Sequence, residues 1–256
     1  MKKILSVFLT IAVFCVLSIF AAGYEETKEL AKQGNEQAQR RLGQIYFREI
    51  ASGVNNPEAY LWFRNLAEQG AAHAQYFVGT MYLYGVSTEK DERQAYKWFK
   101  AAVDQGFTNA IPALAHVYER GLGVEQNLNS AFLLYLEAGE LGNIHVQEPI
   151  ANMYFAGEGT AQNFHEALKW FKAAAERGSA QAQYMAGIIY YEGKGIPKNY
   201  NEAFMWFESS ARQDFADAQR FIAGMYLRGE GVKRNYWKAF KWQVRYIVFN
   251  KLLKTD

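Results

Sequence analysis

The sequence predicts an all-α fold, an α-solenoid of antiparallel helix pairs with a 36-residue period, and three observations carry that prediction. First, residues of one type recur at that interval: Ala59, Ala95, Ala131, Ala167, Ala203 and Ala239; Trp62, Trp98, Leu134, Trp170, Trp206 and Trp242; Tyr46, Tyr82, Tyr118, Tyr154, Tyr190 and Tyr226. Second, the apolar residues within each period have the three-and-four spacing of one helical stripe, as in Ala167, Trp170, Phe171, Ala174 and Ala175. Third, glycine punctuates the period at fixed places. Gly34, Gly70, Gly106, Gly142 and Gly178 close one helix, a series that fails only at Asp214. The pairs Gly121/Gly123, Gly157/Gly159, Gly193/Gly195 and Gly229/Gly231 supply the corners of the returning loop.

The chain has 256 residues, 50% hydrophobic and 16% aromatic, with only four prolines and one cysteine, which excludes a disordered linker and a disulfide scaffold. Lys2 and Lys3 precede an uninterrupted apolar run, Ile4 to Phe20, and the small residues Ala21, Ala22 and Gly23. That order reads as a signal peptide over residues 1–23 cut before Tyr24, with an uncleaved anchor as its rival. Cys15 lies inside the run behind Phe14, which disfavours lipidation, and an exported chain retains no cysteine. Without Lys2 and Lys3, 26 basic residues face 26 acidic ones, so no net field draws in nucleic acid.

From Tyr24 onward each period reads as two helices joined by short loops. Ala182 to Tyr190 begins a second helix after Gly178, and Gly187 lets its backbone approach a neighbour closely. Small residues hold that place throughout: Gly43, Gly79, Ala115, Ala151, Gly187 and Ala223. The run Ala-x-Ala-Gln-Tyr-x-x-Gly-x-x-Tyr-x-x-Gly-x-Gly from Ala180 to Gly195, followed by Tyr200, Ala203 and Trp206, resembles the Sel-1-like repeat, a relative of the tetratricopeptide repeat. The resemblance covers residues 24–246. It implies a right-handed superhelix, with the Ala-Gln helix as helix A and the Ala-x-x-Trp helix as helix B. Six units follow, 34–69, 70–105, 106–141, 142–177, 178–213 and 214–246, after a leading half-unit. One pair cannot bury its apolar face alone, so the Trp and Tyr series are expected to form the layers between stacked neighbours.

Departures from the rule cluster in the middle. Pro112 and Pro149 fall inside the helices A of units three and four, which must therefore start late or bend. Leu134 replaces the Trp, and Gly139 stands where a second Ala is usual, so a change of superhelical pitch is expected near residues 106–150. At the other end Tyr246, Ile247, Val248, Phe249, Leu252 and Leu253 replace the small residues, and residues 247–256 read as a cap. Seven basic residues and no acidic one lie between Lys233 and Lys254, which makes contact of this helix with a membrane the alternative.

Catalytic constellations are scarce. Ser87-x-x-Lys90 matches the Ser-x-x-Lys of penicillin-recognising enzymes but falls in a loop, without the Ser-Asp-Asn and Lys-Thr-Gly elements that would complete that site. His165-Glu166 lacks the second histidine of a zinc motif. His73, His116 and His145 fall on helix A at places that, by resemblance to tetratricopeptide arrays, face a groove; groove polarity is favoured over a metal site. No cofactor and no metal is expected. The groove, counted from the small residue of each helix A, takes Arg40, Gln44, Tyr76, Thr80, His116, Glu119, Glu148, Asn152, Tyr184, Tyr191 and Arg220. Its mixed charge suits a protein partner with Tyr and Arg as anchors, not a carboxylate clamp.

The resemblance implies an adaptor of envelope signalling, export or host interaction, or an immunity protein against a toxin in the periplasm. The expectation is an exported, periplasmic, monomeric and non-catalytic scaffold. The rival is a β-lactam-binding or hydrolysing enzyme like the cysteine-rich relatives, but those pair two cysteines per unit. A third reading attaches the protein to a membrane surface through its last helix.

Overall fold

The computed structural model describes residues 23–33 and 35–252, and among them there is no β-strand. The residues fall into two compact units that divide between Phe107 and Thr108. The first holds α1 (23–32), α2 (Glu36–Ala51), α3 (Pro57–Glu68), α4 (Ala72–Tyr84) and α5 (Glu92–Asp104). The second holds α6 (Ile111–Arg120), α7 (Leu128–Glu140), α8 (Gln147–Ala156), α9 (Phe164–Glu176), α10 (Ala180–Glu192), α11 (Tyr200–Arg212), α12 (Ala216–Arg228) and α13 (Tyr236–Leu252). Within each unit successive helices pack as pairs, and pairs stack on pairs. The chain is an α-solenoid. Of the expected signal segment, residues 1–23, residues 1–22 with Cys15 lie outside the described residues, and Gly23 begins α1.

Each helix B is started by a short polar side chain. Asp91, Asn127, Asn163 and Asn199 are extended and accept hydrogen bonds from backbone N–H groups of the first turn, which that turn cannot pair internally. At α3 the role moves one residue on, to Asn56. The far end of helix B is closed by the expected glycine. Gly70, Gly106, Gly142 and Gly178 have φ from 78° to 97°, and Asp214, which breaks the series, keeps the same left-handed backbone at φ 64°. Asp214 is held there by Gln219 Nε2 at 3.0 Å and Arg245 Nε at 2.7 Å, both donating to Oδ1.

A second regularity ties four of the six helices A, α2, α4, α10 and α12, to the helix before them; α6 has Ile111 at this place. Gln39, Gln75, Gln183 and Gln219 donate from Nε2 to the carbonyls of Ala31, Ala67, Ala175 and Ala211, at 3.1 to 3.4 Å. Those carbonyls lie at the end of the preceding helix, where Ala67, Ala175 and Ala211 also accept from the N–H of the closing residues Gly70, Gly178 and Asp214. The carboxamide therefore adds a second donor to a carbonyl of the preceding helix and links the two helices.

The core differs from the expected one in a specific way. Trp62, Trp98, Trp170, Trp206 and Trp242 are half-buried, whereas the aromatic residues directly after them, Phe63, Phe99, Phe171 and Phe207, are at most 1% exposed. The small residue of helix A explains the choice. A Cβ added at Gly187 would lie 2.7 Å from the Phe207 ring, so the missing methyl is the space the phenyl group occupies. The prolines act as expected: α6 and α8 have 10 residues against 13 for α4, α10 and α12, and each is preceded by one turn of 3-10 helix, Thr108–Ala110 and Ile144–Val146. Gly139 also has a cause, because a Cβ there would meet Ile150 Cδ1 at 2.8 Å and Trp170 Cη2 at 3.0 Å.

The Tyr series supplies a pH dependence. The Tyr60 and Tyr82 hydroxyls are 2.7 Å apart, and desolvation, then Tyr60, pushes the Tyr82 hydroxyl up to about 12. An acid whose folded pKa is raised contributes stability below its unfolded value and loses it as pH climbs toward the folded one. The fold is thus expected to weaken from about pH 10 to 12, and Tyr82→Phe to weaken less steeply, as read by circular dichroism during an alkaline titration.

Candidate functional site

The first unit contains an aromatic cleft of about 580 Å³. Gln39, Gly43, Gln44 and Phe47 of α2 form one wall, Trp62, Phe63 and Leu66 of α3 the floor, and His73 and Phe77 at α4 the other wall. Phe77 rests 4.8 Å from Phe63 and 5.1 Å from Phe47, measured between ring centroids. Phe47 is 46% exposed, so this ring is offered to solvent while its neighbours hold it. Gln44 and His73 are exposed beside it and supply hydrogen-bonding capacity at an otherwise apolar surface.

The second unit carries a more polar cleft of about 570 Å³ along α12, lined by Tyr184, Asp217, Arg220, Phe221, Ala223, Gly224, Leu227, Arg228 and Gln243. Phe221 lies 5.8 Å from Tyr184 and 5.4 Å from Tyr191. The Tyr191 hydroxyl donates to Glu230 Oε2 and accepts from Arg228, each at 3.0 Å, while Arg228 reaches Glu230 at 2.9 Å. Burial, followed by the Glu230 carboxylate, raises the Tyr191 pKa. Arg220 pairs with Asp217 at 3.5 Å and stands 5.8 Å from the Tyr246 ring centroid. The arginines are thus balanced by carboxylates.

Of the groove residues expected from sequence, Tyr184 and Arg220 share this cleft, with Tyr191 attached through Arg228 and Phe221. Gln44 belongs to the aromatic cleft of the first unit. Tyr76 is instead half-buried against Phe77, Phe99 and Phe107, and Thr80 donates its hydroxyl to the Tyr76 carbonyl. Glu119 accepts from the buried Tyr135 hydroxyl at 3.0 Å, and burial first, then that carboxylate, holds Tyr135 protonated far above the ordinary range. His116 and Glu148 are half-buried and Asn152 is exposed. The Arg40 side chain lies outside the described residues.

Ser87 and Lys90 are not arranged as a reactive pair. Ser87 takes the left-handed backbone of the second corner glycine, φ 64°, and its Oγ accepts from the Asn56 N–H at 2.9 Å. Lys90 Nζ lies 2.8 Å from Glu92 Oε1. Ser87→Ala is expected to cost about 1–2 kcal/mol, the worth of leaving that N–H without its acceptor, as measured by urea unfolding. Among the described residues no group of three or more His, Cys, Asp and Glu side chains is placed to hold a metal ion.

Stacked helix pairs with a side-chain-lined cleft define a class, the repeat solenoids that present surfaces. The Sel1 repeat model matches residues 36–70, 72–107, 113–143, 150–179, 180–215 and 216–242, and the chain belongs to the Sel1 repeat family. Among solved structures it is similar to c5321 of uropathogenic Escherichia coli, described as a protective antigen with an SLR fold. The two are 31% identical with a TM-score of 0.79, over 90% of this chain and 50% of that one, so the chain spans about half the length of that neighbour. A Sel1 repeat protein of Oxalobacter formigenes is 27% identical with a TM-score of 0.72, over 80% of this chain and 84% of that one. The immunity protein Pa5087 of Pseudomonas aeruginosa, 17% identical over 80% of this chain and 81% of that one, has a TM-score of 0.43. No curated protein matches the chain.

Proposed function

We propose that the protein is an exported scaffold of the bacterial periplasm that binds another protein and catalyses no reaction itself. The observation that carries this reading is the cleft of the first unit, in which the exposed Phe47 ring is braced by Phe77 and stands beside Gln44 and His73. Such a surface anchors an apolar side chain of a partner and orients it with few polar contacts. Membership in a repeat family whose members generally mediate protein–protein interaction supports the same reading. The Lys2, Lys3 and Ile4 to Phe20 pattern supports export. The narrower form of the proposal is immunity, neutralisation of a toxin delivered into the periplasm.

Affinity capture from an envelope extract tests the cleft. Phe47→Ala is expected to weaken a captured partner by about tenfold or more, because truncation of a central aromatic anchor removes most of what holds it. Tyr184→Ala with Arg220→Ala tests the second cleft in the same way. Partners that survive all three changes, in variants with unaltered circular dichroism, refute the assignment. Amino-terminal sequencing of the periplasmic protein is expected to begin at Tyr24, and the immunity form requires that the captured partner be toxic when the scaffold is deleted.

A further inference from the structure

The last helix has two apolar faces. One, with Ala239, Trp242 and Tyr246, packs inward, and Ala239 is 2% exposed. The other holds Tyr236, Trp237, Phe240, Val244, Ile247 and Val248, which are 66, 63, 57, 39, 44 and 42% exposed. Their spacing places all six within a third of the helix circumference. Trp237 and Phe240 stack at 5.8 Å with their planes 19° apart, so the two largest rings form one ridge.

An open end of a stack accounts for only part of this face. Phe240 occupies the place of Phe204 and Tyr60, which meet the next helix A edge-on at Tyr226 and Tyr82. Trp237, Val244 and Val248 occupy places that are polar in the earlier repeats except at Pro57 and Leu136. Residue 237 corresponds to Pro57, Arg93, Asn129, His165 and Asn201, and residue 244 to Arg64, Lys100, Leu136, Lys172 and Glu208. At the place of Val248 stand Glu68, Asp104, Glu140, Glu176 and Arg212, charged in every earlier helix B. Stacking therefore does not call for apolar residues at these three places.

The charge on this helix chooses among occupants. Lys233, Arg234, Lys238, Lys241 and Arg245 stand on or before α13, and no acidic residue lies between Glu230 and Asp256. Arg245 is engaged by Asp214, whereas exposed Lys241, 5.3 Å from the Trp237 ring centroid, borders the apolar ridge, and exposed Lys238, 5.3 Å from the Tyr226 ring centroid, stands further round the helix. A second copy of this helix would set like charges against each other. We propose that α13 lies on an anionic lipid surface, with Trp237, Phe240, Val244 and Val248 entering the boundary between headgroups and acyl chains and the lysines meeting lipid phosphates. Its 17 residues give a contact about 25 Å long, lying in the plane of the surface and not crossing it. This goes beyond the scaffold reading and is independent of the first cleft; the second includes Gln243 of α13, which none of the substitutions below changes.

The test uses residues 23–256, which keep every helix described above and omit the apolar run at Ile4 to Phe20. Sedimentation with phosphatidylcholine vesicles containing a quarter phosphatidylglycerol is expected to show binding about tenfold or more tighter than with phosphatidylcholine alone. Trp237→Ser with Val244→Ser and Val248→Ser, all at exposed positions, is expected to abolish binding with circular dichroism unchanged. Lys238→Gln with Lys241→Gln is expected to remove the preference for anionic lipid. Absence of binding to the anionic vesicles, or binding that survives the triple change, overturns the proposal. So does a dimer in sedimentation velocity that the triple change makes monomeric, since the face would then be covered by protein.

Discussion

Gly231→Ala is expected to destabilise the second unit by about 3 kcal/mol or more, the sum of a left-handed backbone made costly for a residue with a Cβ and a steric clash that has no flexible partner. Gly231 has φ 63°, and an added Cβ would lie 2.0 Å from the Tyr200 carbonyl oxygen and 2.3 Å from its carbon. These are backbone atoms at the start of α11, one repeat earlier, so relief requires the loop and that helix to separate. Gly106→Ala is the control. Its φ of 78° carries the same conformational cost, yet nothing lies within 4 Å of the added atom. Urea unfolding is expected to show about 1 kcal/mol there. Equal losses at the two glycines would mean that the corner tolerates a methyl group and that the contact does not set the spacing of α11.

Phe207→Ala is expected to cost about 3–5 kcal/mol, since the ring is fully buried and no neighbour can fill the space it leaves. It stacks on Phe221 at 4.6 Å and lies 5.7 Å from Tyr184, so one truncation loosens α10, α11 and α12 together. In a stack whose neighbours hold each other, the loss is expected to broaden the unfolding transition as well as lower its midpoint. Trp206→Phe is expected to change stability by less than about 1 kcal/mol, because the buried indole N–H has no acceptor and its removal offsets the lost ring area. A Trp206→Phe loss as large as that of Phe207→Ala would restore the tryptophan to the centre of the core.

That contrast also shows how far the sequence reads. The period, the helix pairs and the closing glycines were legible because each follows a strict local rule, and Asp214 keeps the glycine geometry even where the letter changes. The inward residue of each Trp-Phe pair was not legible. The two are adjacent, both recur, and only the missing Cβ across from the phenyl group decides between them. The polar ties were present in the letters at Gln39, Gln75, Gln183 and Gln219, but a glutamine has no periodic preference that marks it as buried.

The clefts were partly legible for a related reason. Counting along helix A from its small residue selects one line of side chains, and a line cannot include α3, which gives the first cleft its floor. Phe47 holds the same place in the repeat as Glu119 and Tyr191, so a search by repeat position would have found it. At Thr80 and Glu119 the choice was upset by local chemistry, since a hydroxyl that bonds its own helix and a carboxylate that takes a buried phenol have less left for a visitor.

The glutamine-to-carbonyl ties have a consequence for how such a protein changes length. Gln183 reaches back eight residues to Ala175, and Gln219 eight residues to Ala211, so these two junctions ask the same thing of whatever precedes them. Cutting out residues 178–213 would bring Asp214 and Gln219 behind Arg177 with an equivalent carbonyl waiting. Excision or duplication of 36 residues between two repeats that carry this glutamine is therefore expected to preserve the contact at the new joint.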